Sequence, residues 1–176
     1  MHQDVKEVLY SLEDIQKRSQ ELGKEISQDY AGKAPVLLGL LKGSVPFMAE
    51  LSKWIELDVT MDFMHVSSYS GVHSGQLNIK KDMEQDVRDK DILIIEDIID
   101  TGNTLLHVKE LLLERGAASV KIVAMLDKAE CRTVDIQADY VGFVMPNAFA
   151  IGFGLDFNEK YRNLPYVGVL KEECYQ

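Results

Sequence analysis

Residues 92–104 read ILIIEDIIDTGNT, a run of branched apolar residues that passes through two acids into Asp-Thr-Gly-Asn-Thr. An apolar run this short and this β-branched, closed by turn residues, predicts a parallel strand buried on both faces. Such a strand needs helices above and below it, which commits the chain to an α/β architecture. It also sets where chemistry sits, because open α/β sheets bind ligands beyond the carboxyl ends of their strands. Glu96 and Asp97 stand where this strand emerges, and Asp100, Thr101, Gly102, Asn103 and Thr104 follow. Thr101-Gly102 allows a tight turn, and Thr101 or Asn103 is placed to cap the helix that begins there. Amides and hydroxyls at a helix N-terminus form a phosphate cradle. Anion donors beside paired acids suit a ligand with both a phosphate and hydroxyls, such as a ribose phosphate. The simpler alternative has the acids capping a helix and facing water; two adjacent acids directly after a buried strand, with a third three residues on, weigh against it.

The rest of the chain alternates in the same style. Leu12, Ile15, Leu22 and Ile26 recur at helical spacing behind Ser11, predicting an amphipathic helix over 12–30. PVLLGLL (35–41) reads as a buried strand, Lys42-Gly43-Ser44 as a turn, and 45–55 as a helix carrying Phe47, Met48, Leu51 and Trp54. Residues 57–66 alternate like a strand, and SSYSGVHSGQ (67–76) is a small-residue loop. Strands over 77–83, 91–97 and 119–126, with a helix over 103–115 ending at Gly116, complete a βαβ progression that calls for a parallel sheet flanked by helices. After residue 139 the pattern changes to short strands and turns. The expected organisation is one domain, with a core over about 30–138 and a small hood subdomain from about 1–12 and 139–176.

At 176 residues and 46% hydrophobic content the chain has the size and composition of one globular domain. A net charge of −10 argues against a nucleic-acid surface, which needs clustered Lys and Arg. A small anionic substrate would therefore require local cations or a metal. Cys131 and Cys174 show no zinc-type spacing and read as ordinary thiols. The opening MHQDVKEVLY lacks an apolar signal core and no apolar run reaches membrane-spanning length, so a cytoplasmic location is expected. His2, His65, His73 and His107 have neither ligand nor triad spacing.

The run from Glu96 to Gly102, EDIIDTG, resembles the phosphoribosyl-pyrophosphate loop of the type I phosphoribosyltransferases, and more narrowly the version in the hypoxanthine-guanine phosphoribosyltransferases. The resemblance extends from about residue 35 to 170. It implies a type I phosphoribosyltransferase fold and Mg²⁺-dependent transfer of a phosphoribosyl group to N9 of hypoxanthine or guanine, with pyrophosphate released. In that reading Glu96 and Asp97 hold the ribose hydroxyls, directly or through Mg²⁺, residues 101–104 grip the 5′-phosphate, and Asp100 takes or shares the proton at the purine N7. Leu41, Lys42 and Gly43 form a pyrophosphate loop, often with a non-proline cis peptide before the lysine, and Arg162 clamps pyrophosphate. Lys128, in LDKAE, is the donor to the purine 6-oxo oxygen; three donors and no acceptor favour an oxo group over the amine of adenine. Within FAIGFGLDFNEKYR (149–162), Phe149 stacks on the purine, backbone carbonyls of Ala150 and Asp156 meet its edge, and the Asp156 side chain binds Mg²⁺. Ser68 and Tyr69 match a lid-loop pair that closes over the sugar. A homodimer or homotetramer is expected by the same analogy.

On composition alone Phe153 and Phe157 are core aromatics, Arg162 nearly as well a surface ion pair, Lys128 equally a solvated cap at a strand end, and Lys42-Gly43 more often a plain turn. The chain departs from the common family pattern at Ala150, Ile151, Phe153 and Phe157, and Asn147 stands where Asp is usual. These changes put the ratio of hypoxanthine, guanine and xanthine use in question. Two other functions fit parts of the sequence. A nucleotide-sensing regulator on the same fold would show a basic face or an added DNA-binding segment, which this acidic chain lacks. A Mg²⁺-dependent phosphatase built on Asp97 would want D-x-D spacing, whereas two residues separate Asp97 from Asp100.

Overall fold

The computed structural model describes residues 1–68 and 77–175. The order is β1 (Val5–Tyr10), α1 (Leu12–Asp29), β2 (Val36–Leu40), α2 (Ser44–Ser52), β3 (Thr60–Ser68), β4 (Leu77–Lys81), β5 (Asp91–Ile99), α3 (Asn103–Glu114), β6 (Ser119–Asp127), β7 (Tyr140–Val144), β8 (Ala150–Ile151) and β9 (Val167–Leu170). One sheet has six strands in the order β4-β3-β2-β5-β6-β7; a second has three, β1-β9-β8.

The run that opened the sequence argument is the interior of the large sheet. Ile92 of β5 pairs in parallel register with Val36 on one side and Val120 on the other. Its side chains divide between two cores. Leu93 and Ile95 pack with Ile15, Leu22 and Ile26 of α1 and with Phe47, Met48 and Leu51 of α2. Ile92 and Ile94 meet Leu105, Val108 and Leu112 of α3. With helices on both faces, neither side of the strand tolerates polar residues, which is why it reads as a continuous apolar run. The helix before β2 is fixed at its start by a capping box: the Ser11 hydroxyl accepts the Asp14 N–H at 3.2 Å, and the Asp14 carboxylate accepts the Ser11 N–H at 2.9 Å.

The expected parallel sheet carries one exception. β4 runs antiparallel to β3, with Ser68 opposite Leu77. Only eight residues lie between these strands, too few for a parallel crossover, so the chain returns antiparallel. β3 also lies two to three residues later than the expected 57–66. α2 stops at Ser52 rather than running to 55, because the chain turns there to dock on α1. A Cβ at Gly23 would lie 2.5 Å from Trp54 Cβ, and the Ser27 hydroxyl accepts the Glu56 N–H at 2.9 Å. β7, beyond the expected core limit at 138, pairs parallel with β6 and is a strand of the main sheet. The small sheet joins both ends of the chain, with β1 antiparallel to β9 and β9 to β8. Tyr10 and Phe143 stack across the two sheets, ring centroids 4.0 Å apart. No described helix is long and apolar enough to cross a membrane.

Leu93 is fully buried at the centre of this arrangement. Leu93→Ala should lower unfolding stability by about 2–5 kcal/mol. Urea unfolding tests this: the midpoint falls at unchanged slope, and an unshifted midpoint would contradict the two-faced burial of β5.

Candidate active site

Because β2 and β5 are adjacent and parallel, the turns that follow them emerge side by side. Between them lies a cleft of about 330 Å³ lined by Leu41, Lys42, Gly43, Glu96, Asp97, residues 100–104 and Arg162. Every residue expected at the pyrophosphate, ribose and 5′-phosphate positions therefore borders one space. β5 runs on to Ile99, so Glu96 and Asp97 belong to the strand itself rather than to the loop after it. Both are half-buried. The Leu41–Lys42 peptide is cis. A Cβ at Gly43 would lie 1.6 Å from Asp97 Oδ2, so the carboxylate sits against backbone that only glycine leaves bare.

Neither Thr101 nor Asn103 caps α3. Gly102, in the left-handed region at φ +85°, is the N-cap residue, and no side chain fills the cap. The Asn103 side chain instead donates to Thr133 Oγ1 at 2.9 Å. The contrast with α1 is chemical: the first turn of α1 carries Glu13 and Asp14, while that of α3 carries no acid. A helix N-terminus without its own carboxylate keeps its amides and dipole for an external anion.

The tract after β8 is a tight coil that carries more of the site. Gly152 (φ +93°), Phe153 (+46°), Gly154 (+102°), Asn158 (+51°), Glu159 (+62°) and Tyr161 (+75°) all lie in the left-handed region. The four that are not glycine cost on the order of 1 kcal/mol or more apiece, and such residues concentrate at sites where surrounding contacts enforce them. Here Arg162 supplies part of the enforcement. Its Nη1 donates to Gly154 O at 2.8 Å, its carbonyl accepts the Gly154 N–H at 3.0 Å, and Nη2 pairs with Asp156 Oδ1 at 2.9 Å. Arg162 Nε is buried with no partner among the described residues. Glu159 bridges the two expected pyrophosphate cations, at 2.8 Å from Lys42 Nζ and 3.3 Å from Arg162 Nη2. The hydrogen bond from Lys42 holds the Glu159 carboxyl below its usual pKa.

A second cavity of about 270 Å³ collects the expected purine residues: Lys128, Phe149, Ala150 and Asp156, with Ala148 and Leu155. It shares Asp97, Ile98 and Asp100 with the first, so Asp100 stands at their junction. Phe149 is 38% exposed. Phe157 meets it edge-on at 5.4 Å and Tyr175 lies stacked on it at 5.1 Å. Phe153 is a core residue. Ser68 ends β3, and Tyr69 lies outside the described residues. Glu159, Leu155 and Tyr175 were not identified from sequence. The i,i+3 spacing of Asp156, Glu159 and Arg162 is a usable signal, whereas nothing near the C-terminus marks Tyr175.

Burial, reinforced by the adjacent Asp97 charge, pushes Glu96 well above the usual carboxylate pKa. Burial also raises Asp97, opposed by hydrogen bonds from Glu96 and the Ile98 N–H and, less, by the Arg162 charge. Two acids strained in this way are a fitting seat for a hard cation, which would reverse both effects. Among the described residues no three His, Cys, Asp or Glu side chains converge as a complete cage. Mg²⁺ fits these acids as a cation that takes the rest of its shell from a ligand.

The sign of the Glu96 effect is testable. A folded-state pKa held above the usual 4.5 contributes stability that is complete below 4.5 and lost as pH rises through the raised value. Glu96→Gln removes that loss. The ligand-free variant should melt higher than wild type at neutral pH and converge with it in acid; parallel melting curves across pH would contradict this.

Comparison with known proteins extends these observations. Residues 7–158 match the family model described as the phosphoribosyl transferase domain. A hypoxanthine-guanine phosphoribosyltransferase of Streptococcus thermophilus is 55% identical over 99% of this chain and 98% of its own. The crystal structure of a hypoxanthine phosphoribosyltransferase from Staphylococcus aureus superposes with a TM-score of 0.97 at 49% identity, covering 100% of this chain and 97% of that one. The Trypanosoma cruzi hypoxanthine phosphoribosyltransferase, in complex with the product IMP, gives a TM-score of 0.95 at 38% identity over 99% of each chain.

Proposed function

The chain belongs to the phosphoribosyltransferase family, and from that premise we infer that it is a purine-salvage enzyme, transferring the phosphoribosyl group of phosphoribosyl pyrophosphate to N9 of hypoxanthine or guanine. The observation that carries the assignment of roles is the pair of cavities meeting at Asp100: one lined by acids and an uncapped helix start, the other by Lys128 and an exposed aromatic face. A sugar phosphate and a flat base, joined at one carbon, need that arrangement.

In this reading the amides and hydroxyls of residues 101–104 hold the 5′-phosphate at the start of α3. Glu96 and Asp97 orient the ribose hydroxyls. Lys42 and Arg162 exchange their contacts with Glu159 for the pyrophosphate oxygens, so that the cations meet the leaving group as its charge develops. Mg²⁺, held by the substrate oxygens with Glu96, Asp97 or Asp156, would add Lewis-acid stabilisation of the departing pyrophosphate. Phe149 supports one face of the purine, backbone carbonyls of Ala150 and Asp156 accept from its edge, and Lys128 donates to its 6-oxo oxygen. Asp100 accepts or shares the N7 proton as N9 attacks C1′. Ser68 and Tyr69 close over the sugar as a lid. The small sheet, with the coil that leads to Arg162, serves as the hood. By analogy with the family we extend the reading to a cytoplasmic homodimer or homotetramer.

The test is nucleotide formation from phosphoribosyl pyrophosphate and Mg²⁺ with hypoxanthine, guanine, xanthine or adenine in parallel. Product with hypoxanthine or guanine and none with adenine is expected; product with adenine alone would overturn the role of Lys128. Asp100→Asn should lower kcat by about 10²–10⁴-fold with little change in KM, as the loss of a general base does. A raised KM at unchanged kcat would assign Asp100 to substrate binding instead.

A further inference from the structure

The loop at the end of β5 is held from behind by residues 128–133, of which only Lys128 has a role in the reaction just described. Three consecutive carbonyls are engaged: Ile99 O accepts the Lys128 N–H at 3.0 Å, Asp100 O accepts Arg132 Nη1 at 3.1 Å, and Thr101 O accepts the Thr133 N–H at 3.1 Å. All three donors lie within 128–133, directly after β6. In a trans peptide the N–H points opposite to the carbonyl, so anchoring these carbonyls turns the amides of Asp100, Thr101 and Gly102 the other way. Those residues line the phosphate cleft.

Arg132 is the one charged side chain among the donors; the Thr133 hydroxyl adds a second bond to Thr101 O at 3.3 Å. Arg132 Nη2 is paired with Asp127, the last residue of β6, and both side chains are largely buried, at 14% and 15% exposed. Its aliphatic stem packs under the turn: a Cβ at Gly102 would lie 3.1 Å from Arg132 Cδ. The planar guanidinium thus ties the end of one strand to the loop after its neighbour, with one nitrogen on each. A cation on the Asp100 carbonyl also polarises that peptide, which strengthens the Thr101 N–H as a donor.

We propose that Arg132 is a positioning residue that presets the phosphate loop before substrate arrives. This rests on the assignment of residues 101–104 to the 5′-phosphate, and a binding readout separates the two. Arg132→Ala should weaken GMP binding about 10- to 100-fold, the loss expected for a charge-assisted hydrogen bond. It should leave guanosine binding unchanged, since guanosine has no phosphate to feel the loop. Guanidinium ion added to Arg132→Ala should recover GMP affinity. Arg132→Lys keeps the charge but cannot serve Asp127 and the Asp100 carbonyl together, so it should show a smaller loss in the same direction; it decides the matter if the alanine variant does not fold. Equal losses for GMP and guanosine would mean a general structural role, and wild-type GMP affinity in both variants would mean no role; either overturns the proposal. Wild-type protein that binds GMP but forms no nucleotide would overturn the assigned reaction while leaving the Arg132 result readable.

Discussion

The structure depends on the placement of two adjacent carboxylates near the end of β5, a strand with helices on both faces. Glu96 and Asp97 follow directly from Ile92, Leu93, Ile94 and Ile95, which the helices cover on both faces. Burial raises both acids, most strongly Glu96. A fold at its most stable would not leave such a pair without compensation, and the elements around it answer that charge. The bare backbone of Gly43 admits the Asp97 carboxylate, the Arg162 charge opposes the rise at Asp97, and the cleft opens where a bound Mg²⁺ would complete the balance.

The rest of the site is arranged so that charges of opposite sign come from different elements. Acids arise from β5, an uncapped amide cluster from the start of α3, and cations from the turn after β2 and the coil after β8. That coil is held in the left-handed region at several residues, enforced by the contacts of Arg162 with Gly154 and Asp156. Glu159 supplies an anion to Lys42 and Arg162 in the absence of substrate, so the two cations are not left facing one another unpaired. The purine side depends on the same strand end, since Lys128 is tethered through its N–H to Ile99.

What the sequence revealed, and what it hid, follows the range of the interactions. β5, α1 with its cap at Ser11 and the loop at residues 100–104 were legible because their signals are local: apolar periodicity, a Ser-x-x-Asp box, acids beside a Thr-Gly turn. The convergence of Lys42, Arg162, Lys128 and Phe149 on two neighbouring cavities came from the family resemblance, because nothing local relates residues so far apart in the chain. The antiparallel return of β4 and the place of β7 in the main sheet were missed, since short strands carry no mark of their partner. The cap of α3 was misassigned to Thr101 or Asn103 because propensity favours their side chains, while the observed Gly102 cap leaves the helix start for an anion. Arg132 was invisible for a different reason: its partner in the loop is the Asp100 carbonyl, far off in the chain, and backbone acceptors leave no trace in side-chain patterns.

The electrostatic account is tested most directly by counting protons when Mg²⁺ and phosphoribosyl pyrophosphate bind. Titration calorimetry in buffers of different ionisation enthalpy gives that number for wild type and for Glu96→Gln. With Glu96 raised above its usual 4.5 in the free protein, a Mg²⁺ bound at the pair should draw it down and release protons between those two values. Wild type should therefore release more protons than the variant in that range, with the difference vanishing at higher pH. Identical proton counts at every pH would mean that the carboxylate pair does not feel the bound chelate, and the account would be wrong at its centre.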